Sequence, residues 1–147
     1  MSAPRAKSGG RMTSFYRAAS DALCASFALV GALFLLAPDA VLAFFDRLSA
    51  ALGMATFGGA ADPFFPALAV AYMAVVTTLA WSMARHPRDD ASPRLLVLAK
   101  GASSLVSFAL FLLRQPHLVL LLNGVVDGGI ALLVLALRRA LRAEQTT

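Results

Sequence analysis

Charge is what this chain has least of. Asp, Glu, Lys and Arg make up 14% of its residues, against about 25% in an ordinary soluble domain, while 59% are hydrophobic and the mean hydropathy is +0.75. Too few polar side chains exist to cover a water-facing surface, which excludes a soluble globular domain and places the chain in lipid. Cysteine is nearly absent as well. Cys24 stands alone, so no intrachain disulfide and no Cys-x-x-Cys redox or zinc pair can form, and it reads as a small apolar packing residue. His86 and His117 flank different apolar stretches and fall at opposite membrane surfaces, which excludes a bis-His haem or a shared metal ion. A glycine-rich phosphate loop, a paired-carboxylate helix motif and a Ser-His-Asp set on one side are all missing. No haem or metal site is therefore expected, and the cofactor stays unknown, with a bound lipid or quinone compatible with such a chain.

What is present is apolar sequence in long pieces. Four stretches, about 20–37, 66–84, 95–113 and 118–138, approach the roughly 20 residues that a helix needs to cross about 30 Å of hydrocarbon. They are continuous and rich in Leu and Ala, without the alternation of a membrane barrel strand. The expected fold is all-α: an integral membrane, up-down four-helix bundle in one domain, because short links between successive spans make antiparallel neighbours.

Orientation follows from the cations. Arg5, Lys7, Arg11 and Arg17 precede the first span, Arg85, Arg88 and Arg94 separate the second from the third, and Arg138, Arg139 and Arg142 follow the fourth. The other side holds Arg47 and Arg114 against Asp39, Asp46 and Asp62. The positive-inside rule then puts both termini in the cytoplasm of a multi-pass protein of the bacterial inner membrane. The same partition answers the sequence pI near 10.4 without nucleic acid, since the basic residues are juxtamembrane and carry no interleaved aromatics. The basic leader and Val41-Leu42-Ala43 imitate a secretory signal, yet three further spans argue for retention of the first.

Residues 1–19 read as a flexible cytoplasmic tail and 141–147 as another, leaving 20–140 as the membrane domain. Pro38 and Asp39 end one helix and start the next, over about 39–52, where Val41, Leu42, Phe45, Leu48 and Leu52 recur at helical spacing opposite Asp46 and Arg47. Such an amphipathic helix lies on the outer membrane surface or folds over the bundle mouth. Gly58-Gly59, Asp62-Pro63 and Pro66 mark an outer loop. Phe57, Phe64, Phe65, Tyr72, Trp81 and Tyr16 are expected to form interfacial belts.

Two charges interrupt the spans. Lys100 and Asp127 each cost roughly 2.5–3.5 kcal/mol at a helix centre unless paired, solvated or neutralised. Lys100, Ser103, Ser104, Ser107 and Arg114 recur on one face of the third span, which suits either interhelical hydrogen bonds or a wet path. On the fourth span Asn123 and Asp127 share a face, flanked by Gly124 and Gly128, small residues that admit a close neighbour. Depth along the helices favours Lys100 with Asp127, whereas the lean of side chains toward their own N-termini favours Asp21 as the lysine's partner. Small faces at Asp21, Ala25, Ala28 and Ala32, and at Ala67, Ala71, Ala74 and Thr78, are expected to close the bundle around the charges.

With Leu35-Leu36-Ala37-Pro38-Asp39-Ala40-Val41-Leu42 after the first span, Lys100 in the third and Leu122-Asn123-Gly124-Val125-Val126-Asp127-Gly128 in the fourth, the chain resembles the DoxX-like small four-helix membrane proteins of bacteria. That resemblance implies a membrane bundle and, from a few members, a subunit of a quinone-linked oxidoreductase; it carries over no catalytic residue. Three functions are open on these residues. One is a non-catalytic subunit or assembly partner that binds another membrane protein or a second copy of itself. Another is a proton-coupled transporter or channel using Asp127 and Lys100, and the third a quinone-interacting redox subunit.

Overall fold

The structure is a computed structural model that describes residues 10–56, 64–114 and 116–146. Within them the chain forms five helices: α1 (Arg11–Leu36), α2 (Pro38–Ala51), α3 (Phe64–Arg85), α4 (Ala91–Leu113) and α5 (Leu118–Thr146). No strand occurs among the described residues, and the single extended contact is an isolated bridge between Ala55 and His117. Four helices, α1, α3, α4 and α5, are long and apolar enough to cross a membrane, which makes this a multi-pass membrane protein by length and composition. The expected outer-loop residues 57–63, with Gly58-Gly59 and Asp62-Pro63, lie outside the described residues, as do 1–9 of the leading tail.

Local chemistry sets the helix boundaries. Ala37 closes α1 by donating its N–H to the Leu33 carbonyl at 2.9 Å, and Pro38 opens α2 at the position where a missing N–H costs nothing. Asp39 adds a negative charge to the first turn of α2, where the helix dipole is positive. At its far end Gly53 turns left-handed, with φ 67°, and lets Met54 N–H reach back to the Ser49 carbonyl at 2.8 Å. The inward side of α2 coincides with the expected apolar face over its first half only. Val41, Leu42, Phe45 and Asp46 are half-buried and Ser49 is buried, while Leu48 and Leu52 stay exposed.

Packing occurs in two pairs, α1 against α3 and α4 against α5, joined by α3 with α4 and α1 with α5. Along α1 and α3, position 31 meets 73, and 34 and 35 share a groove with 66, 67 and 70, while 17 and 21 meet 84 and 85. Numbers rise on one helix as they fall on the other. The same holds across α4 and α5, where 100 meets 127 and 104 meets 124.

Helix extends into the described part of both expected tails, and each contributes to the core. α1 starts at Arg11, well ahead of residue 20, and α5 continues through Thr146 instead of ending near 138. The reason is mutual: Tyr16, fully buried, packs with Leu137 and Leu141 in one apolar cluster that also holds Met83 and Leu96. Neither segment is apolar enough to be read as core alone, but each supplies the other's cover. Tyr16 and Tyr72, expected in interfacial belts, are respectively buried and half-buried, whereas Phe64, Phe65 and Trp81 are exposed as expected of belt residues. The small faces also point the other way. Asp21, Ala25 and Ala28 on α1 and Ala67, Ala71, Ala74 and Thr78 on α3 are exposed, because the larger Phe27, Tyr72, Met73 and Val76 take the interior.

One end of the molecule, the basic end, carries the 86–90 link. There Asp89 accepts hydrogen bonds from the Ser92 hydroxyl at 2.6 Å and from the backbone N–H groups of Ala91 and Ser92 at 3.0 Å, so it caps α4. The Ser92 hydroxyl, with the two amides, holds this carboxyl down from the ordinary 3.8 to about 2. A depressed carboxyl contributes stability that is complete above its unfolded value and is lost as pH falls through its folded value. The α4 cap should therefore survive acidification through pH 3.8 and fail as pH approaches about 2. The protection factors of the Ala91 and Ser92 amides in detergent, relative to intrinsic exchange at the same pH, should fall in that window, and Asp89→Ala should show the lowered protection already at neutral pH.

Candidate functional site

The polar faces of α4 and α5 meet in the interior. On α4 the buried positions Leu96, Lys100, Ser104 and Ser107 step by three or four residues, and on α5 Gly124, Asp127, Ala131, Val134 and Leu137 do the same. Each stripe is one helix face, and the two interlock. Lys100 Nζ donates to Asp127 Oδ1 at 2.7 Å, with the two residues 1% and 2% exposed. Of the two anions open to Lys100 in the sequence, Asp127 is the one it meets. Asp21 is exposed instead, in a groove with Arg17, Ala84 and Arg85.

The rest of the ammonium is met by aromatic faces. Nζ stands 4.7 Å from the Phe27 ring centroid and 4.9 Å from that of Tyr72, close enough for both ring quadrupoles to attract the charge. Tyr72 is fixed in turn by its hydroxyl, which donates to the Ala99 carbonyl at 3.1 Å. The lysine is thus enclosed by α1, α3 and α5 together, although it belongs to α4. Phe27 and Tyr72 carry no local mark of this role: each is an apolar-span aromatic whose partner is more than 25 residues away.

Toward the opposite end the polar contacts continue. Asn123 Nδ2 donates to Ser107 Oγ at 2.8 Å and to Ser103 Oγ at 3.1 Å, and Ser104 Oγ donates to the Gly124 carbonyl at 2.7 Å. Such bonds average about 0.6 kcal/mol in membrane bundles, so they set register more than they add stability. Arg114 leaves this face. It caps the end of α4 in a non-helical conformation and is exposed, so the expected polar run stops at Ser107. His117 Nδ1 lies 3.0 Å from the Ala55 carbonyl, tying the α4–α5 link to the exit of α2.

Glycines make the approach of α4 and α5 this close. A Cβ on Gly128 would stand 2.9 Å from Ser104 Oγ, and one on Gly124 would meet the Phe108 ring at 3.1 Å, whereas Gly129 faces open space. Asp127 Oδ2 is the discordant atom: buried, and without a hydrogen-bond partner among the described residues.

In chemical terms this is a helical membrane protein with a desolvated, aromatically caged ion pair at its centre. No protein-family model, no curated protein and no solved structure matches the chain.

Two predictions follow from the cage and the glycines. Lys100→Met strands a buried carboxylate and should cost about 3–5 kcal/mol, Asp127→Leu likewise strands the ammonium, and the double variant should recover most of the loss. Reversible unfolding in mixed micelles measures this cycle. Gly128→Ala should cost about 1–3 kcal/mol through overpacking against Ser104. Gly129→Ala, on the open face, should leave the same transition unmoved.

Proposed function

We propose that this chain is a non-catalytic integral membrane subunit or assembly partner. In this reading it is an up-down bundle in a bacterial inner membrane, with both termini cytoplasmic and α2 on the outer surface. Opposed numbering across α1/α3 and α4/α5 supports the bundle topology, and the arginines of the basic end support the orientation. The resemblance to DoxX-like proteins agrees with it and adds no residue role.

The observation that carries the proposal is where the polar and small groups are spent. Lys100, Asp127, Asn123 and the serines bond to one another inside the bundle. The small residues of α1 and α3, by contrast, face outward, where another membrane helix can approach closely. Ser26 and Thr78 on those helices return their hydroxyls to the carbonyls of Ala22 and Ala74, at 2.8 and 2.9 Å, and so satisfy themselves before any partner arrives.

Photo-crosslinking side chains placed at Ala28 and Ala74 in native membranes should capture one defined membrane protein. The same groups at Leu105 or Leu132, exposed on α4 and α5, should not. Lipid adducts alone at all four positions would reject the proposal.

A second reading rests on Asp127 Oδ2. A buried carboxylate oxygen with no donor is a place for a proton, and proton-coupled transport would use it with Lys100 setting the field. Under that reading Asp127→Asn, in protein first shown by circular dichroism to be folded, abolishes proton-dependent flux in proteoliposomes. Flux that is absent from the parent chain or unchanged in the variant removes this reading.

A further inference from the structure

We infer that the lateral groove between α4 and α5 at the basic end is a docking site for one phospholipid with an anionic headgroup. Five apolar residues line it, Pro93, Val97 and Leu98 from α4 and Val134 and Leu135 from α5, around about 320 Å³. Leu98 is 67% exposed and Leu135 40%, so these walls belong to the surface that a multi-pass protein turns to acyl chains.

The mouth of the groove is built from guanidinium groups. Arg94, Arg138 and Arg142 all reach the single carboxylate of Asp90: Arg94 at 3.7 Å, Arg142 at 2.9 Å, and Arg138 in direct contact. In this end of the chain Arg85, Arg88, Arg94, Arg138, Arg139 and Arg142 outnumber Asp89, Asp90 and Glu144. The excess is positive at the level where a phosphodiester would sit, and the positive pole of the α4 dipole adds to it.

Arg138 braces the mouth from within. Its side chain is 13% exposed, with one terminal nitrogen donating to the Pro87 carbonyl at 2.6 Å, and its guanidinium lies beside the buried Tyr16 hydroxyl. The groups of the mouth that a ligand can reach are therefore Arg94 and Arg142. A phosphodiester brings oxygens to Arg142 and Arg94 while its acyl chain covers the exposed Leu98 and Leu135. Inorganic phosphate would satisfy the mouth alone and leave that wall bare. Polybasic mouths over interhelical grooves are where membrane proteins hold anionic lipid.

The test is native mass spectrometry of the whole chain, delipidated in detergent and titrated with phosphatidylglycerol or with phosphatidylcholine of the same acyl chains. The expected result is one retained phosphatidylglycerol, held on the order of tenfold more tightly than phosphatidylcholine. Arg94→Gln combined with Arg142→Gln, both on solvent-reaching side chains, should reduce that preference to near unity while the fold, read by circular dichroism, persists. Leu98→Trp should lower retention of both lipids by filling the groove. Millimolar inorganic phosphate should leave the lipid adduct in place. Equal retention of the two lipids, a preference untouched by the double arginine variant, or displacement by inorganic phosphate would each overturn the inference.

Discussion

An ammonium and a carboxylate held 2.7 Å apart where water does not reach govern how the other helices can be arranged. Attraction between opposite charges grows as the surrounding dielectric falls, and so does the penalty for leaving either one alone. The pair therefore acts less as a source of net stability than as a condition that the fold must meet. α4 and α5 can satisfy it in one register, and that register brings Ser104 to the Gly124 carbonyl and Asn123 to Ser103 and Ser107. It also explains the glycines at 124 and 128, which remove the side chains that would hold the two helices apart. α1 and α3 complete the arrangement by presenting Phe27 and Tyr72 to the face of the lysine that the carboxylate leaves open.

Much of this was legible in the residues. Continuous apolar runs marked the four long helices, Pro38 marked the break after the first, and helical spacing placed Lys100 with Ser104 and Ser107 on one face and Asn123 with Asp127 on another. Those signals are local, and periodicity carries them. What escaped depends on partners far along the chain. Tyr16 reads as part of a tail because its cover lies some 120 residues away, at Leu137 near the end of the fourth apolar run and at Leu141 in the expected trailing tail. Spacing identifies the faces of α1 without saying which one turns inward: Phe27 goes in to meet Lys100 and Gly31 to admit Met73, while Ala25 and Ala28 stay out. Tyr72 was assigned to a belt by its type, whereas a charge on another helix gave it a place inside.

Around this centre the polar groups divide by purpose. Interior ones between α4 and α5 are consumed in pairs, each side chain answering a group on the neighbouring helix. Hydroxyls on outward faces answer their own backbone four residues back, as Ser26 and Thr78 do. Hydrocarbon forbids a third option, since an unsatisfied donor or acceptor there costs several kcal/mol. Against that background Asp127 Oδ2 at the core is an informative exception, as are the Tyr16 hydroxyl and Arg138 Nε, which lie together at the basic end.

The two ends of the molecule are fastened by different forces. At one, Asp90 gathers arginines from α4 and α5 across side chains that are mostly within reach of solvent. At the other, the Ala55–His117 bridge joins main chain to main chain, reinforced by the imidazole. Mobile ions weaken the first kind of fastening over a Debye length of about 8 Å at physiological ionic strength and barely touch the second. Rising salt thus weakens only the ionic fastening of the basic end, where the buried cluster of Tyr16, Met83, Leu137 and Leu141 still holds the helices together.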